Sequence, residues 1–138
     1  MVFEKILVPY DDSANSKRAL GKAFSLAEST GSKITLVHVI AYHKAIAKIV
    51  EPYKDTVIGH VKKFMNEVER DASRRDITID EEILYGNPAE EIINLMKNKK
   101  FDLVMMGKRG TTKITGPSLG SVSNALVQNS KVPVLVIA

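Results

Sequence analysis

The sequence predicts an α/β fold: a single-domain, open five-stranded parallel sheet with helices on both faces. Three observations carry this. KILVPY (5–10), KITLVHVIA (33–41) and FDLVMM (101–106) are short runs too continuously apolar for strands wet on one face, so they read as strands buried on both, and VPVLVIA (132–138) closes the chain as a final strand. Apolar residues recur every three or four positions in the intervening segments, as in helices that bury one stripe. Strands and helices alternate strictly, and parallel strands joined by right-handed helical crossovers are the architecture that alternation builds. With 138 residues, 44% of them hydrophobic, one domain spanning 1–138 is expected.

The first strand ends in proline and two aspartates. A helix follows with Ala19, Leu20, Ala23, Phe24 and Ala27 at helical spacing, Asp12 or Ser13 to cap it and Gly31 to stop it. After the second strand, Ile49, Tyr53, Val57, Val61, Phe64, Val68 and Ala72 mark one long amphipathic helix from about 45 to 73, with Pro52 delaying or kinking its start. ITIDEEIL (77–84) alternates apolar and polar, the pattern of a half-wet strand at a sheet edge. Asn87 as N-cap, Pro88 at the first helical position and Glu90 three residues after the cap announce the next helix. After FDLVMM comes the glycine-rich stretch GKRGTTKITGPSLGS (107–121), then a short helix, SVSNALVQNS, and the last strand.

The alternating third strand suits one edge of the sheet. Pro133 places the fifth strand at the other, because proline cannot donate to a ladder. The resulting order, 3-2-1-4-5, reverses direction between the first and fourth strands. In open parallel sheets ligands bind at that reversal, beyond the carboxyl ends of the strands. Those two ends carry PYDDS and MGKRG.

Composition narrows the function. Without cysteine, disulfides and thiolate metal sites are excluded, and a reducing, cytoplasmic location is expected. The opening MVFEKILVPYDD has a charged pair and too short an apolar run for a signal peptide, and no later run is long enough to span a bilayer. The net charge of +4 comes from basic residues scattered among acids, and the chain has four Tyr, four Phe and no Trp. That pattern suits solvated helix faces better than a nucleic-acid surface. Neither nucleic acid nor membrane is an expected partner.

In the glycine-rich stretch, absent side chains let backbone N–H groups approach a ligand, and a helix start adds unsatisfied N–H donors and partial positive charge. The hydroxyls of Ser121 and Ser123 are candidate phosphate donors, and Lys108, Arg109 and Lys113 candidate countercharges. A strand-end turn at Gly107, a helix start at Gly120 and an ordinary cap at Ser121 account for the same residues. Neither the GxGxxG fingerprint nor the GxxxxGK[ST] loop is present.

The spacing does fit G-x2-G-x9-G-S, at Gly107, Gly110, Gly120 and Ser121. With KILVPYDDS, TLVHVI, YGNPAEEI, DLVMMGKRG, LGSVSNALV and VPVLVI in this order, the whole chain resembles the universal stress proteins of the nucleotide-binding type. The resemblance implies an adenine-nucleotide alpha hydrolase-like fold, ATP between the first and fourth strands with Mg²⁺ or Mn²⁺ held by its phosphates, and a homodimer joined through Val132 to Ala138. Pro9 and Asp11 would border the adenosine, and Val39 would meet the adenine edge with its backbone. Met106, Gly107, Arg109 and Gly110 would line the ribose and phosphates. Gly120, Ser121, Val122 and Ser123 would hold the phosphates. Gly116-Pro117 lies within the nine-residue spacer, where relatives often carry helical or apolar residues. The implied function is a non-catalytic, nucleotide-dependent switch in stress response or signalling.

Other chemistries have less behind them. Asp11 and Asp12 are adjacent in a strand-to-helix turn, where capping by Asp12 and a ligand contact from Asp11 are expected in preference to a metal pair. Ser13 has no base in sight. His38, His43 and His60 lack metal-ligand spacing and read as structural. Adenylating enzymes of the same superfamily usually carry SGGxDS, HIGH-type or KMSKS-type motifs, and this chain has PYDDS and none of these. At most slow ATP hydrolysis is expected. The alternatives are a nucleotide-independent dimeric interaction module and, behind it, an ATP-consuming ligase or hydrolase.

Overall fold

The computed structural model describes residues 3–41, 47–109 and 118–138. Five parallel strands form one sheet in the order β3-β2-β1-β4-β5. They are β1 (Lys5–Pro9), β2 (Lys33–Ala41), β3 (Ile79–Gly86), β4 (Leu103–Gly107) and β5 (Val134–Ile137). The helices are α1 (Ala14–Thr30), α2 (Ala47–Val50), α3 (Lys54–Arg74), α4 (Pro88–Asn98) and α5 (Ser121–Asn129), with a 3-10 turn at Glu51–Tyr53. The expected strand order and both edges are found. The third strand begins two residues later than its alternation suggested and runs on to Gly86.

The sheet separates two cores. On one face Ile6, Val8, Ile34, Leu36 and Met105 meet Leu20 and Phe24 of α1 and Val61, Phe64, Met65 and Val68 of α3. On the other, Leu7, Val37, Val39, Val104 and Met106 meet Ile92 and Leu95 of α4 and Leu126 of α5. Consecutive strand residues therefore feed opposite cores, which is why these runs contain no polar alternation.

Helix ends follow their caps with one correction. Ser13, not Asp12, caps α1: it has extended backbone angles (φ −71°, ψ 160°), and its side chain accepts from the Ser16 N–H. Asp12 sits at φ 64°, a left-handed turn position incompatible with an N-cap. Its carboxylate instead accepts from the Tyr10 hydroxyl at 3.2 Å and pairs with Lys17 at 3.5 Å. Gly31, at φ 74°, ends α1 as expected. Asn87 caps α4 by accepting from the Glu90 N–H at 3.0 Å.

The long second helix is not continuous. Pro52 lies in the 3-10 turn between α2 and α3, and the apolar stripe is buried only from Val61 onward. Ile49, Tyr53 and Val57 are exposed. Among the described residues no helix is long and apolar enough to cross a membrane.

Candidate functional site

β1 lies between β2 and β4 but pairs with them unequally. Its register with β2 runs from Lys5↔Lys33 to Pro9↔Val37, whereas with β4 it stops after Ile6↔Leu103 and Leu7↔Val104. Alternate residues of a central parallel strand bond to opposite neighbours. Tyr10 donates to the Val37 carbonyl of β2 at 2.8 Å, so Pro9 addresses β4. Proline has no N–H, and the β1–β4 ladder ends there. The two strand ends part, and a cleft of about 310 Å³ opens where the strand order reverses.

Pro9 and Asp11 line this cleft from β1, Val39 from β2, and Met106, Gly107 and Arg109 from β4 and its exit. Gly120, Ser121, Val122 and Ser123 line it from the start of α5. These sequence-predicted residues are thus in one cavity, whereas Lys108, a candidate countercharge, does not line it. Gly110, Lys113, Gly116, Pro117 and His43 lie outside the described residues. Tyr10, Ser16, Val37, His38, Ala41, Pro88 and Ile92 also line the cavity and were missed. Pro88 and Ile92 had a signal, since they belong to the YGNPAEEI segment, but nothing in its pattern turned α4 toward the cleft.

Two helices that begin beside the cleft are closed by their own side chains, α1 by Ser13 and α4 by Asn87. α5 begins at Gly120, which has no side chain to offer, and no side-chain cap is present. First-turn N–H groups without a side-chain acceptor attract an anion.

The glycines do more here than leave room for a ligand. A Cβ on Gly107 would stand 2.8 Å from both C and Cβ of Asn15 and 2.9 Å from its carbonyl oxygen, so α1 occupies that space. A Cβ on Gly120 would lie 3.3 Å from the Arg109 Cα. Both positions are close-packed before any ligand is considered.

That packing forms a neck across the two arms of the glycine-rich stretch. The Gly120 N–H donates to the Lys108 carbonyl at 3.0 Å, and Arg109 Nε donates to the Ser118 carbonyl at 3.0 Å. The Lys108 N–H donates to Ile137 of β5 at 2.7 Å. Ser123 Oγ stands 2.9 Å from each of the Gly107 and Lys108 carbonyl oxygens, and the residue is 2% exposed. A hydroxyl has one hydrogen, which here is directed to main-chain acceptors. Ser123 lines the cleft, with its Oγ within hydrogen-bond reach of the neck carbonyls.

On the opposite wall, His38 Nδ1 lies 2.8 Å from the Tyr10 carbonyl, so that nitrogen carries the hydrogen, and the ring packs edge-on against Phe64. This fits the structural role expected of His38. Asp11 accepts from the Ser13 N–H at 3.0 Å, which holds its carboxylate at the mouth of the β1–α1 turn. Burial, then the Asp12 carboxylate, push the Tyr10 hydroxyl far above its ordinary pKa, leaving it a neutral donor.

A larger hollow of about 430 Å³ lies between α1 and α3. Its Lys17 pairs with Asp12, while its Arg75 pairs with Glu28 and stacks over Phe24, so its cations are already engaged. Tyr10 lines both hollows, but no described residue of β4 or α5 lines the larger one. We therefore take the smaller cleft as the site. Among the described residues, no group of three or more His, Cys, Asp or Glu side chains is arranged to hold a metal.

Known proteins share this fold. The model of the Universal stress protein family matches residues 3–138. Universal stress protein YxiE of Bacillus subtilis is 30% identical over 147 residues, covering 99% of each chain. The structure of universal stress protein UspA from Lactobacillus plantarum has a TM-score of 0.89 at 26% identity, covering 100% of this chain and 99% of that one. A universal stress protein solved in complex with cAMP shares the fold, with a TM-score of 0.77 at 24% identity over 100% of this chain and 99% of that one. The chain, from its first strand to its last, belongs to the universal stress protein family.

Proposed function

We propose that the cleft binds ATP, and that the protein acts as a cytoplasmic homodimer whose bound nucleotide switches a stress or signalling response without the protein being a dedicated catalyst. The observation that carries this reading is the convergence of two parted strand ends and the uncapped start of α5 on one cleft. The donor set fits a nucleotide. Pro9, Asp11 and Val39 form the wall suited to the adenosine, with Met106, Gly107 and Arg109 opposite and the N–H groups of Ser121, Val122 and Ser123 available to phosphate. ATP brings polyphosphate charge to such a site and carries Mg²⁺ or Mn²⁺ on its own oxygens. The structure of a family member with cAMP supports an adenine ligand for the fold.

A non-catalytic role is supported by where the buried hydroxyls point. Ser16 Oγ donates to the Ser13 carbonyl at 3.0 Å and Ser123 Oγ to the neck carbonyls, so neither is paired with an imidazole or a carboxylate as an activated nucleophile would be. For the homodimer the support is β5, an outer strand of apolar residues with Leu135 45% exposed. Symmetric pairing of Val132 to Ala138 with a second copy would cover it.

Thermal unfolding with and without ATP and Mg²⁺ tests the proposal. At a hundred times its dissociation constant ATP stabilises by about 2.7 kcal/mol, a rise of roughly 9 °C for a chain of this length. Gly120→Val should remove the shift by filling the neck. An unchanged Tm together with a flat calorimetric titration refutes ATP binding. It would favour the second reading, a nucleotide-independent interaction module, for which exposed Ile49, Tyr53 and Tyr85 supply apolar surface.

A further inference from the structure

We propose that the Ser123 hydroxyl is a positioning group: it locks the Lys108 peptide between α5 and β5 and is not itself a phosphate ligand. Lys108 is bonded from three directions. Its carbonyl receives the Gly120 N–H at 3.0 Å and Ser123 Oγ at 2.9 Å, and its N–H reaches Ile137 at 2.7 Å. Ser123 also reaches the preceding carbonyl, Gly107, at 2.9 Å. These carbonyl oxygens lie against the uncapped start of α5, and unscreened they would repel an anion there.

A hydroxyl hydrogen directed at them draws off part of that negative potential, so the wall is dominated by N–H donors. Ser123 is also the third residue of α5, so the same bond fixes the first turn relative to the end of β4. The burial of Ser123 makes the arrangement part of the fold, present without ligand. The role as a lock stands on these contacts alone; the consequence for phosphate rests on the ATP reading above.

Two variants and two readouts separate these parts. Amide hydrogen exchange on nucleotide-free protein reads the lock directly. Ser123→Ala should speed exchange of the Gly120 and Lys108 amides by ~10-fold or more, the scale of one lost hydrogen bond, and Ser123→Thr should restore protection. Calorimetric titration with ATP should show affinity falling ~10-fold in Ser123→Ala and recovering in Ser123→Thr.

Should Ser123→Ala not fold, the threonine variant still decides. Its χ1 rotamer, read from three-bond NMR couplings, should be the same with and without ATP, whereas a hydroxyl that swings onto phosphate would change it. Wild-type protein that ignores ATP overturns the nucleotide reading and leaves the exchange result to judge the lock. Unaltered exchange in Ser123→Ala, or a rotamer change in Ser123→Thr on adding ATP, overturns the lock.

Discussion

Replacing Gly107 by alanine places a methyl group where the first turn of α1 already stands. The new Cβ would lie 2.8 Å from Asn15 C and Cβ and 2.9 Å from its carbonyl oxygen, inside van der Waals contact with backbone and not with a flexible side-chain tip. Relief requires β4 or α1 to move. β4 holds Val104 at 0% exposure and α1 holds Ala19 and Ala23 at 0%, so neither has slack. Overpacking of this kind costs about 1–3 kcal/mol, and the backbone contact argues for the upper half of that range.

Alanine also restricts the unfolded chain, which offsets about 0.4–1 kcal/mol. A net loss of roughly 2 kcal/mol, with an unfolding entropy of about 2.1 cal/mol/K per residue, lowers Tm by roughly 7 °C. The assay is far-UV circular dichroism on nucleotide-free Gly107→Ala beside wild type. Gly21→Ala and Gly59→Ala serve as controls, since both glycines lie within helices and an added Cβ meets nothing within 4 Å. Each control should gain about 0.5–1 kcal/mol, or roughly 2–3 °C. A Gly107→Ala protein melting within about 1 °C of wild type would show that the α1–β4 contact is not close-packed, and the reasoning fails.

Other substitutions probe the frame around the site. Asp102 Oδ2 accepts from the N–H groups of Glu4 and Lys5, both at 2.9 Å, and ties the start of β1 to the start of β4. Asp102→Ala should lower stability by about 1–2 kcal/mol in urea unfolding, with partial recovery in Asp102→Asn. Glu81 shares its sheet face with Ile79 and Ile83; burial first, then the neighbouring Glu69 carboxyl, push its pKa up to about 7. A carboxyl raised in the folded state binds more protons folded than unfolded, so its contribution is present at low pH and is lost as pH rises from the unfolded value toward about 7. With solvent screening the difference is about 1 kcal/mol. Glu81→Gln should therefore gain on wild type between pH 5 and pH 8 in the urea midpoint; equal gaps at the two pH values would refute the shift.

The sheet order was legible because two edge signals are local: polar alternation in ITIDEEIL and proline in VPVLVIA. Helix starts were legible where one residue type does the capping, as at Asn87. They were ambiguous where two candidates stand side by side, as at Asp12 and Ser13, because only backbone angles distinguish a cap from the turn before it. Periodicity overstated the stripe at Ile49, Tyr53 and Val57, since helical spacing says which residues share a face and not whether anything covers it. Glu81 was overlooked for the converse reason: it falls in phase with Ile79 and Ile83, but its charge masked its inward position.

In the site, glycine spacing and topology pointed to Gly107, Gly120 and the start of α5, while Pro9, Asp11, Val39 and Met106 were named only through the family resemblance; two further reasons were not legible. Gly107 answers to Asn15, and Ser123 to the Gly107 and Lys108 carbonyls. Neither partner is a sequence neighbour, and neither leaves a pattern along the chain.

Pro9 gives the cleft a permanence that a loop could not. The gap between β1 and β4 is written into the main chain: closing it would bury a β4 carbonyl opposite an atom with no hydrogen to offer. The sheet cannot zip shut when the site is empty, and no incoming ligand has to prise it open. Association then draws on a preformed groove, which keeps the entropic cost of ordering low. Any change that occupancy produces must arise above the strand ends, on a frame that stays the same in both states.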